Sequence, residues 1–210
     1  MTTPLGHVYL VDDDPDVRFY LGDLLRQLGY SLASFEDADS FLKQALDFSP
    51  AVVLMDMRMP GLTGLQVQQR LKELGRLTPV VFISGESYPQ EIIDAMKGGA
   101  VDFLIKPFNR DQLVAALDKA LALDVQKRDQ FVRSSHIQRL FQNLTEREKE
   151  VFFFILQGQT NLAIGELTGV QAGTVKKHRA AVLEKFGVDS AAGLMAQCEG
   201  LDLQALRVRN

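Results

Sequence analysis

The sequence predicts a doubly wound α/β domain with a five-stranded parallel sheet, followed by a small all-α helix-turn-helix domain. Two observations carry this prediction. All seven prolines lie at or before Pro107, and the 50 residues from Phe108 to Gln157 contain neither proline nor glycine. Short apolar runs alternate with amphipathic segments only upstream of Pro107, as strands and helices do along a parallel sheet. Downstream no strand pattern occurs, so that part is predicted to be helical.

Five segments upstream of Pro107 are predicted to be strands, and five are predicted to be helices. The strands are continuous runs of Val, Ile, Leu and Phe, as expected where helices cover both faces of a sheet. In chain order they are His7–Val11, the weaker Tyr30–Phe35, Ala51–Met55, Val80–Ile83 and Val101–Ile105. The predicted helices are the amphipathic segments Asp16–Leu28, Asp39–Asp47, Leu65–Leu74, Gln90–Lys97 and Arg110–Leu123.

The predicted C-terminal domain is organised by helix caps and glycines. Thr145 and Glu148 form a capping-box pattern before the apolar run Val151–Leu156, and Gly158 is placed to end that helix. The remaining segments are a short helix at Thr160–Thr168, a turn at Gly169-Val170, and a longer helix at Ala172–Phe186 that ends at Gly187. Helix, turn and helix is the plain interpretation of this order.

The segment between the two domains is predicted to be a helical linker, which gives domains at 1–120 and 144–210 and a linker at 121–143. Leu113 and Leu117 recur at helical spacing and are expected to cover the sheet. Further along, charged residues interrupt the apolar pattern at Asp124, Lys127, Arg128 and Asp129, so a continuous coiled coil is not indicated. Two alternatives remain open for this segment: an elongated helical connector, or a helix that breaks near 134–136.

Composition excludes several classes of protein. The chain has 210 residues, of which 46% are hydrophobic and 24% charged, and this is typical of a globular protein. Its single cysteine, Cys198, excludes a disulfide framework and a cysteine-rich zinc site and is expected to be a small core residue. No apolar run approaches the ~20 residues of a membrane span, and no signal segment is recognisable at the start. We therefore expect a cytoplasmic protein without a membrane partner.

The net charge of −4 is divided unequally along the chain. Residues 1–118 carry 10 Lys and Arg against 17 Asp and Glu, a net of −7. Residues 119–210 carry 13 against 10, a net of +3. An acidic part joined to a basic part indicates two tasks, the basic one at a polyanion such as nucleic acid.

Polar side chains follow four of the predicted strands. Asp12, Asp13 and Asp14 follow the first strand, and Asp56 follows the third. Ser84 follows the fourth strand, and Lys106 follows the fifth. Because the carboxyl ends of parallel strands meet at one edge of a sheet, these groups are expected to lie together.

A cluster of carboxylates with one lysine points to phosphoryl chemistry on a metal ion. Neighbouring carboxylates repel one another, and a hard divalent cation relieves this. Mg²⁺ prefers oxygen ligands and keeps positions open for phosphate oxygens. Asp56 then becomes a candidate nucleophile toward phosphorus, with Lys106 neutralising charge and Ser84 donating a hydrogen bond to the product.

At this point residues 1–120 resemble the receiver domain of two-component response regulators. The motifs that carry the resemblance are Val-Asp12-Asp13-Asp14, Met-Asp56-Met-Arg-Met-Pro60-Gly61, Ile-Ser84-Gly85, Gly-Gly-Ala-Val-Asp-Phe103-Leu and Lys106-Pro107-Phe108. The resemblance implies that Asp56 accepts a phosphoryl group from the phosphohistidine of a sensor histidine kinase. It also implies that Asp13, Asp56 and the backbone carbonyl of Arg58 bind Mg²⁺ directly, and that Asp12 acts through water.

The same resemblance assigns roles to side chains around the phosphoacceptor. Lys106 contacts the phosphoryl group, and its bond to the following proline is expected to be cis. Ser84 and Phe103 form a switch pair, in which the hydroxyl moves to the phosphate and the ring follows inward. An ordinary core position is the alternative for Phe103. Arg58 and Glu86 stand at positions that the resemblance links to the lifetime of the phosphoryl group.

The predicted helix Ala172–Phe186 has one apolar face and one mostly basic face. Val175, Val182 and Phe186 share the first face, whereas Lys176 and Ala180 lie opposite. A buried face opposite a basic one suits a helix that enters a major groove, and a solvated lysine-rich face is the alternative.

Residues 142–198 resemble the LuxR/NarL-type helix-turn-helix of FixJ-like regulators. The motifs are Leu144-Thr-Glu-Arg-Glu-Lys-Glu-Val151, Gly158-Gln-Thr-Asn161, Gly169-Val170, Thr174-Val175-Lys176-Lys177-His178-Arg179 and Glu184-Lys185-Phe186-Gly187-Val188. The residues that the resemblance places against bases are Lys176, Lys177 and Ala180, and those placed near backbone phosphates are Thr174, His178 and Lys185.

The sequence departs from this family at two places. Leu162 and Ala163 stand where most members have Lys and Glu, which removes two exposed charges. Gln171 stands where a Ser usually caps the recognition helix, and Gly173 lies in its first turn. Each of the latter changes costs about 1 kcal/mol of helix stability, so a soft helix start and weakened DNA binding are expected consequences.

Together these features predict a two-component response regulator and not an enzyme. Phosphorylation of Asp56 is expected to promote homodimerisation and binding to double-stranded DNA, and so to control transcription. One alternative is a receiver used for protein contacts with weak or no sequence-specific DNA binding, which salt-dependent retention on duplex DNA would test. A second is a Mg²⁺-dependent phosphatase acting through an aspartyl phosphate, which turnover of free phosphate esters would reveal.

Overall fold

The computed structural model describes residues 4–86 and 88–202. The chain forms two compact units with the boundary between Asp129 and Gln130, and each unit has its own hydrophobic core. The boundary falls inside the predicted linker at 121–143. Residues 203–210 of the predicted C-terminal domain lie outside the described part of the chain.

The first unit is the predicted five-stranded parallel sheet with helices on both faces. The spatial order of its strands is β2-β1-β3-β4-β5. The strands are β1 His7–Val11, β2 Ser31–Phe35, β3 Ala51–Asp56, β4 Val80–Ser84 and β5 Asp102–Ile105. The helices are α1 Pro15–Gln27, α2 Ala38–Lys43, α3 Gly64–Glu73, α4 Pro89–Lys97 and α5 Arg110–Gln142. The predicted fold class is confirmed, with boundaries that differ by one or two residues in most elements.

Both faces of the central strands β1, β3 and β4 are buried, which explains their continuous apolar runs. On β3, Val52 and Leu54 pack into one core with residues of α1 and α5. The alternate residues Val53 and Met55 pack into a second core with residues of α2 and α3. Because side chains alternate across a strand, a strand covered on both sides has to be apolar at every position.

Helix α2 ends at Lys43, four residues before the predicted end at Asp47. The segment that follows is held by α5 instead: the Arg128 guanidinium donates to the carbonyl oxygens of Leu46 and Phe48 at 3.2 and 2.9 Å. The fully buried Asp124 carboxylate accepts hydrogen bonds from the Ser49 hydroxyl, the Ala51 amide and the Arg128 side chain. Asp124 and Arg128, two of the four residues that interrupt the apolar pattern of the linker, therefore fix the loop that leads into β3.

Helix α5 is continuous from Arg110 to Gln142, so the structure favours the unbroken helix of the two alternatives. Within the first unit, Leu113 and Leu117 are fully buried against the sheet, as predicted. Phe131 and Val132 are exposed, whereas Ile137 is buried in the core of the second unit.

The second unit is helical, as predicted. Its helices after α5 are α6 Glu146–Leu156, α7 Asn161–Thr168, α8 Ala172–Lys185 and α9 Ala191–Cys198. Sequence reasoning missed α9, although the Ser190 side chain caps it by accepting a hydrogen bond from the Gly193 amide. At its other end, Arg133 donates to the carbonyl oxygens of Ala196 and Gln197 in the last turn of the helix.

Two smaller expectations can be compared with the structure. Cys198 is 4% exposed and packs in the core of the second unit, as predicted. Across residues 4–86 and 88–202, no helix combines the length and the apolar character that crossing a membrane requires.

Candidate functional site

The sheet topology places the ends of β1 and β3 side by side. The chain leaves these two strands toward opposite edges of the sheet, and ligand sites of parallel α/β sheets lie in the crevice that this creates. Val11 pairs with Met55 in the register, so the residues that follow them, Asp12 and Asp56, lie at the same level. Asp12 is 1% exposed and Asp56 is 7% exposed.

Lys106 joins these two carboxylates. Its ammonium nitrogen Nζ lies 2.9 Å from Asp12 Oδ2 and 3.0 Å from Asp56 Oδ1. Lys106 follows β5, and its peptide bond to Pro107 is cis, as expected. The structure therefore brings together three of the groups that the sequence placed at strand ends.

Burial and neighbouring charges shift the pKa values of Asp56 and Lys106. Burial raises the pKa of Asp56 above its ordinary value, and hydrogen bonds from Lys106 and from the Arg58 amide offset only part of that rise. Burial by itself would lower the pKa of Lys106, but hydrogen bonds to Asp12 and Asp56 outweigh it, so the net shift is upward. The pocket thus holds a firmly protonated lysine beside a carboxylate whose negative charge is poorly solvated.

Local backbone contacts fix both aspartates. Asp12 Oδ1 accepts a hydrogen bond from the Asp14 amide at 3.0 Å, and Asp56 Oδ2 accepts one from the Arg58 amide at 2.6 Å. The loop after β3 then returns close to the strand at Gly64. A Cβ atom there would lie 2.8 Å from the Asp56 carbonyl oxygen and 2.7 Å from the Phe82 ring, so only glycine fits without a shift.

Ser84 ends β4 and Phe103 lies on β5, and the Ser84 hydroxyl makes no hydrogen bond to the carboxylates of the cluster. Ser84 is 2% exposed, and its hydroxyl donates to the carbonyl oxygen of Glu86 at 2.7 Å. Phe103 is half-buried and packs near Phe82, with ring centroids 6.1 Å apart. Whether these two residues move as a pair stays a prediction.

The donor chemistry of the pocket fits a hard divalent cation. Asp12 and Asp56 supply carboxylate oxygens, and the exposed Asp13 stands next to them in the chain. Together with Lys106 these three carboxylates leave an excess of negative charge. Within the described residues, however, no three His, Cys, Asp or Glu side chains are grouped as a metal site, and Lys106 pairs with both Asp12 and Asp56.

Sequence reasoning missed the main partner of the Arg58 side chain. Its Nη2 atom lies 3.3 Å from Glu91 Oε2, on α4, and its guanidinium carbon lies 5.3 Å from the centre of the Tyr88 ring. The Glu86 carboxylate is more distant, at 3.9 Å from Nη1. No sequence pattern links Arg58 to Glu91, because the contact depends on how the β3–α3 and β4–α4 connections meet.

Helix α8 has the two faces predicted from its sequence. Val175, Val182 and Phe186 are 0–3% exposed, in the core of the second unit. The residues predicted to face bases, Lys176, Lys177 and Ala180, are all exposed.

The three residues predicted to approach phosphates differ in their surroundings. Thr174 is exposed and His178 is half-buried. Lys185 is engaged within the protein: its Nζ atom lies 2.6 Å from Glu148 Oε2 and 3.1 Å from the carbonyl oxygen of Asn143. Sequence reasoning did not find this ion pair, which joins α6 to α8.

The start of α8 is weakly capped, as the departures from the family pattern predicted. Gln171 is the N-cap residue, and its side chain makes no capping hydrogen bond. A Cβ atom at Gly173 would meet nothing within 4 Å. On α7, Leu162 is 66% exposed and Ala163 is half-buried.

Each of the two units matches a known protein family. Residues 8–118 match the family of response regulator receiver domains, and residues 142–196 match the LuxR family of bacterial regulatory proteins. The response regulator protein TodT of Pseudomonas putida is 36% identical over 194 residues, which cover 92% of this chain and 86% of that protein. The tetrathionate response regulatory protein TtrR of Salmonella typhimurium is 36% identical over 205 residues, covering 98% of each.

A solved structure extends the likeness to three dimensions. The response regulator StyR matches with a TM-score of 0.76 and 33% identity, over 95% of this chain and 100% of that one. The two family matches together point to a regulator of transcription rather than to a typical enzyme. Both domains match known families, and the relatives align with almost the whole chain, so they share its two-domain architecture. The chain therefore belongs to the two-component response regulators, as a transcriptional regulator that joins a receiver domain to a LuxR-type DNA-binding domain.

Proposed function

We propose that Asp56 is the phosphoacceptor of this regulator and that a sensor histidine kinase is the donor. The observation that carries the proposal is the position of Lys106, whose ammonium group lies 3.0 Å from Asp56 Oδ1. A carboxylate oxygen of Asp56 would form the bond to phosphorus while the bond from phosphorus to the kinase histidine breaks. Lys106 would neutralise charge on the transferring group.

The acidic residues of the pocket would hold Mg²⁺. We assign direct ligation to Asp13, Asp56 and the backbone carbonyl of Arg58, and a contact through water to Asp12. The ion would supply positive charge to the phosphoryl oxygens. Lys106 contributes charge of the same sign, and it already lies 2.9 Å from Asp12 Oδ2.

The change that follows phosphorylation is assigned to Ser84 and Phe103. Phosphorylation adds up to about two negative charges beside the Ser84 hydroxyl. That hydroxyl would exchange its hydrogen bond to the Glu86 carbonyl oxygen for one to the phosphoryl group. The Phe103 ring, which is half-buried, would then move further inward.

The output is binding of α8 to double-stranded DNA. Its exposed basic face supports insertion in a major groove, with Lys176, Lys177 and Ala180 toward bases. Thr174 and His178 would approach phosphates, and Lys185 would do so while it remains paired with Glu148. We extend the proposal to a homodimer formed on phosphorylation, because two linked half-site contacts raise apparent affinity without a new base contact.

Two measurements test this function. Incubation with a small phosphodonor and Mg²⁺ should add one phosphoryl group to the wild type and none to Asp56→Asn. The variant Asp23→Asn, which changes an exposed carboxylate on α1, is the matched control and should be phosphorylated normally. Incorporation into Asp56→Asn at the wild-type rate would contradict the assignment of Asp56.

The second measurement addresses DNA. Sequences selected from random duplex DNA by the protein treated with beryllofluoride should be enriched in an inverted repeat. The wild type should bind that repeat more tightly after treatment, and Asp56→Asn should not respond. Equal affinity of treated and untreated wild type would refute the proposed switch, and retention that does not depend on salt would refute recognition of DNA through its phosphates.

A further inference from the structure

The side chain of Arg58 connects the phosphoacceptor loop to the start of α4. Its neighbours Met57 and Met59 are buried, so the Arg58 side chain is directed outward. Its backbone amide donates to Asp56 Oδ2, which fixes the residue beside the phosphoacceptor carboxylate. Its guanidinium lies against Glu91 and the Tyr88 ring. One residue thus contacts both the site of phosphorylation and the first turn of a neighbouring helix.

Glu91 holds two donors with a single oxygen. Oε2 accepts a hydrogen bond from the Tyr88 amide at 2.9 Å and one from Arg58 Nη2 at 3.3 Å. The first bond belongs to the N-terminal capping of α4, where Glu91 occupies the third helical position. The second bond holds the Arg58 guanidinium against the first turn of α4.

A phosphoryl group on Asp56 would compete for this guanidinium. The group brings up to about two negative charges and three acceptor oxygens, and the planar fork of arginine matches such oxygens in pairs. Glu91 offers a single charge in a half-exposed ion pair, which is a weak interaction. The charge balance therefore changes in favour of Asp56 when it is phosphorylated.

We propose that Glu91 is a positioning residue for the chemistry at Asp56: it holds the Arg58 guanidinium at the start of α4 until a phosphoryl group draws it away. This inference rests on the proposed function of Asp56. It predicts that the Arg58–Glu91 pair opposes phosphorylation and that its release leaves the first turn of α4 with one contact fewer.

The test is the affinity for beryllofluoride, a mimic of the phosphoryl group, measured by calorimetry on the full chain with Mg²⁺. Glu91→Gln keeps an oxygen that can cap α4 but removes the charge that holds Arg58. It should bind the mimic about two- to fivefold more tightly, the range that corresponds to an exposed ion pair. The gain should shrink at high salt, because ions screen exposed pairs.

Two further variants separate this role from a structural one. Arg58→Gln should bind the mimic more weakly than the wild type, and Glu91→Gln should have no effect in that background. Glu86→Gln is the matched control: it also removes a carboxylate near Arg58, but at 3.9 Å and on a side chain that is 90% exposed, so its effect should be smaller.

Each outcome has a definite meaning. Binding that is unchanged or weaker in Glu91→Gln, or a gain that persists without Arg58, would overturn the inference alone, provided that the wild type binds the mimic and Asp56→Asn does not. If the wild type fails to bind the mimic, or Asp56→Asn binds it equally well, the proposed function itself fails and the inference falls with it.

Discussion

At the scale of single residues, Asp56 carries a charge that the folded chain solvates poorly. Because burial raises its pKa, the folded protein binds a proton at this position more tightly than the unfolded chain does. The charged form therefore lowers stability fully at a pH above the raised pKa. This penalty shrinks as the pH falls below that pKa and is gone below the ordinary value of 3.8. A functional residue that costs stability is expected at a reactive site.

We therefore predict that Asp56→Asn stabilises the protein. Asparagine keeps an oxygen that can accept the hydrogen bond of the Arg58 amide but carries no charge to desolvate. In metal-free buffer at neutral pH, we expect the free energy of unfolding in urea to rise by about 1 kcal/mol. The gain should diminish in acid, where Asp56 is protonated.

The matched control for this prediction is Asp23→Asn, on an exposed position of α1. It should change the free energy of unfolding little at either pH, since exposed substitutions of this kind have small effects. A destabilised Asp56→Asn, or a gain that is independent of pH, would show that the hydrogen bonds of Asp56 outweigh its desolvation.

Lys185 has a structural task in addition to its predicted role on DNA. Burial alone would raise the pKa of Glu148, but hydrogen bonds from Lys185 and Thr145 outweigh it and lower that pKa. The pair therefore stabilises the fold above the ordinary pKa of a glutamate, and this contribution is lost as the pH falls through the lowered value. Removing Lys185 leaves a carboxylate that is 7% exposed without its charged partner.

We predict that Lys185→Ala destabilises the second unit by about 1–2 kcal/mol at neutral pH, the cost of a lost hydrogen bond to a charged group. Burial raises the pKa of Cys198, the single thiol of the chain, to about 11. Its alkylation in mild alkali should therefore follow opening of this core and should accelerate in Lys185→Ala. Lys176→Ala, at an exposed position of the same helix, should leave the rate unchanged; equal acceleration in both variants would argue against a specific role of the ion pair.

Residues at strand ends could be predicted from the sequence, and residues that pair across elements could not. The positions of Asp12, Asp56 and Lys106 follow from one rule, that parallel strands end at the same edge. The pairs of Arg58 with Glu91 and of Lys185 with Glu148 depend on how loops and helices face each other in the folded units, which spacing along the chain does not determine.

At the scale of elements, the sequence predicts helices and strands well where the periodic pattern is strong. It fails where a tertiary contact or a short helix decides the structure. Helix α2 was extended too far because its apolar residues continue past Lys43, whereas Arg128 and Asp124 hold the following loop. Helix α9 was missed because its small residues, from Ala191 onward, have no clear amphipathic period, and its Ser190 cap alone is a weak signal.

The start of helix α8 can be stabilised at two positions. The N-cap residue Gln171 makes no capping hydrogen bond, and Gly173 in the first turn is a poor helix former. Gln171→Ser should add a capping hydrogen bond, and Gly173→Ala has open space and an ordinary backbone conformation. Each should raise the free energy of unfolding of the second unit by about 1 kcal/mol.

The measurement for α8 is urea unfolding, followed by affinity for the selected operator. If a soft helix start limits DNA binding, both variants should also bind more tightly, since less ordering is required on contact. Gln157→Ser, at the C-cap of α6, is the control for an added serine and should produce no such gain. Stabilisation without tighter binding would mean that α8 is already ordered before it meets DNA.

At the scale of the whole molecule, charge divides the chain between its two tasks. Residues 1–118 carry a net charge of −7, and residues 119–210 carry +3. Phosphorylation would make the first part more acidic still. Attraction to DNA must therefore come from the local basic face of α8 and not from the charge of the protein as a whole.

We therefore predict that a lysine contributes to DNA binding because of its place on α8, and that the total number of lysines matters little. Lys176→Ala should weaken operator binding by about 1–3 kcal/mol and reduce the preference for operator over random duplex DNA, as expected for a contact to a base. Lys72→Ala, an exposed lysine on α3, removes the same charge from the acidic unit and should change neither quantity. The affinities for operator and for random duplex DNA should both be measured over a series of salt concentrations. If Lys176 contacts a base, Lys176→Ala should reduce the preference for the operator strongly and change the salt dependence of binding little. Equal losses in the two variants would mean that net charge governs the interaction, and the recognition role of α8 would then have to be abandoned.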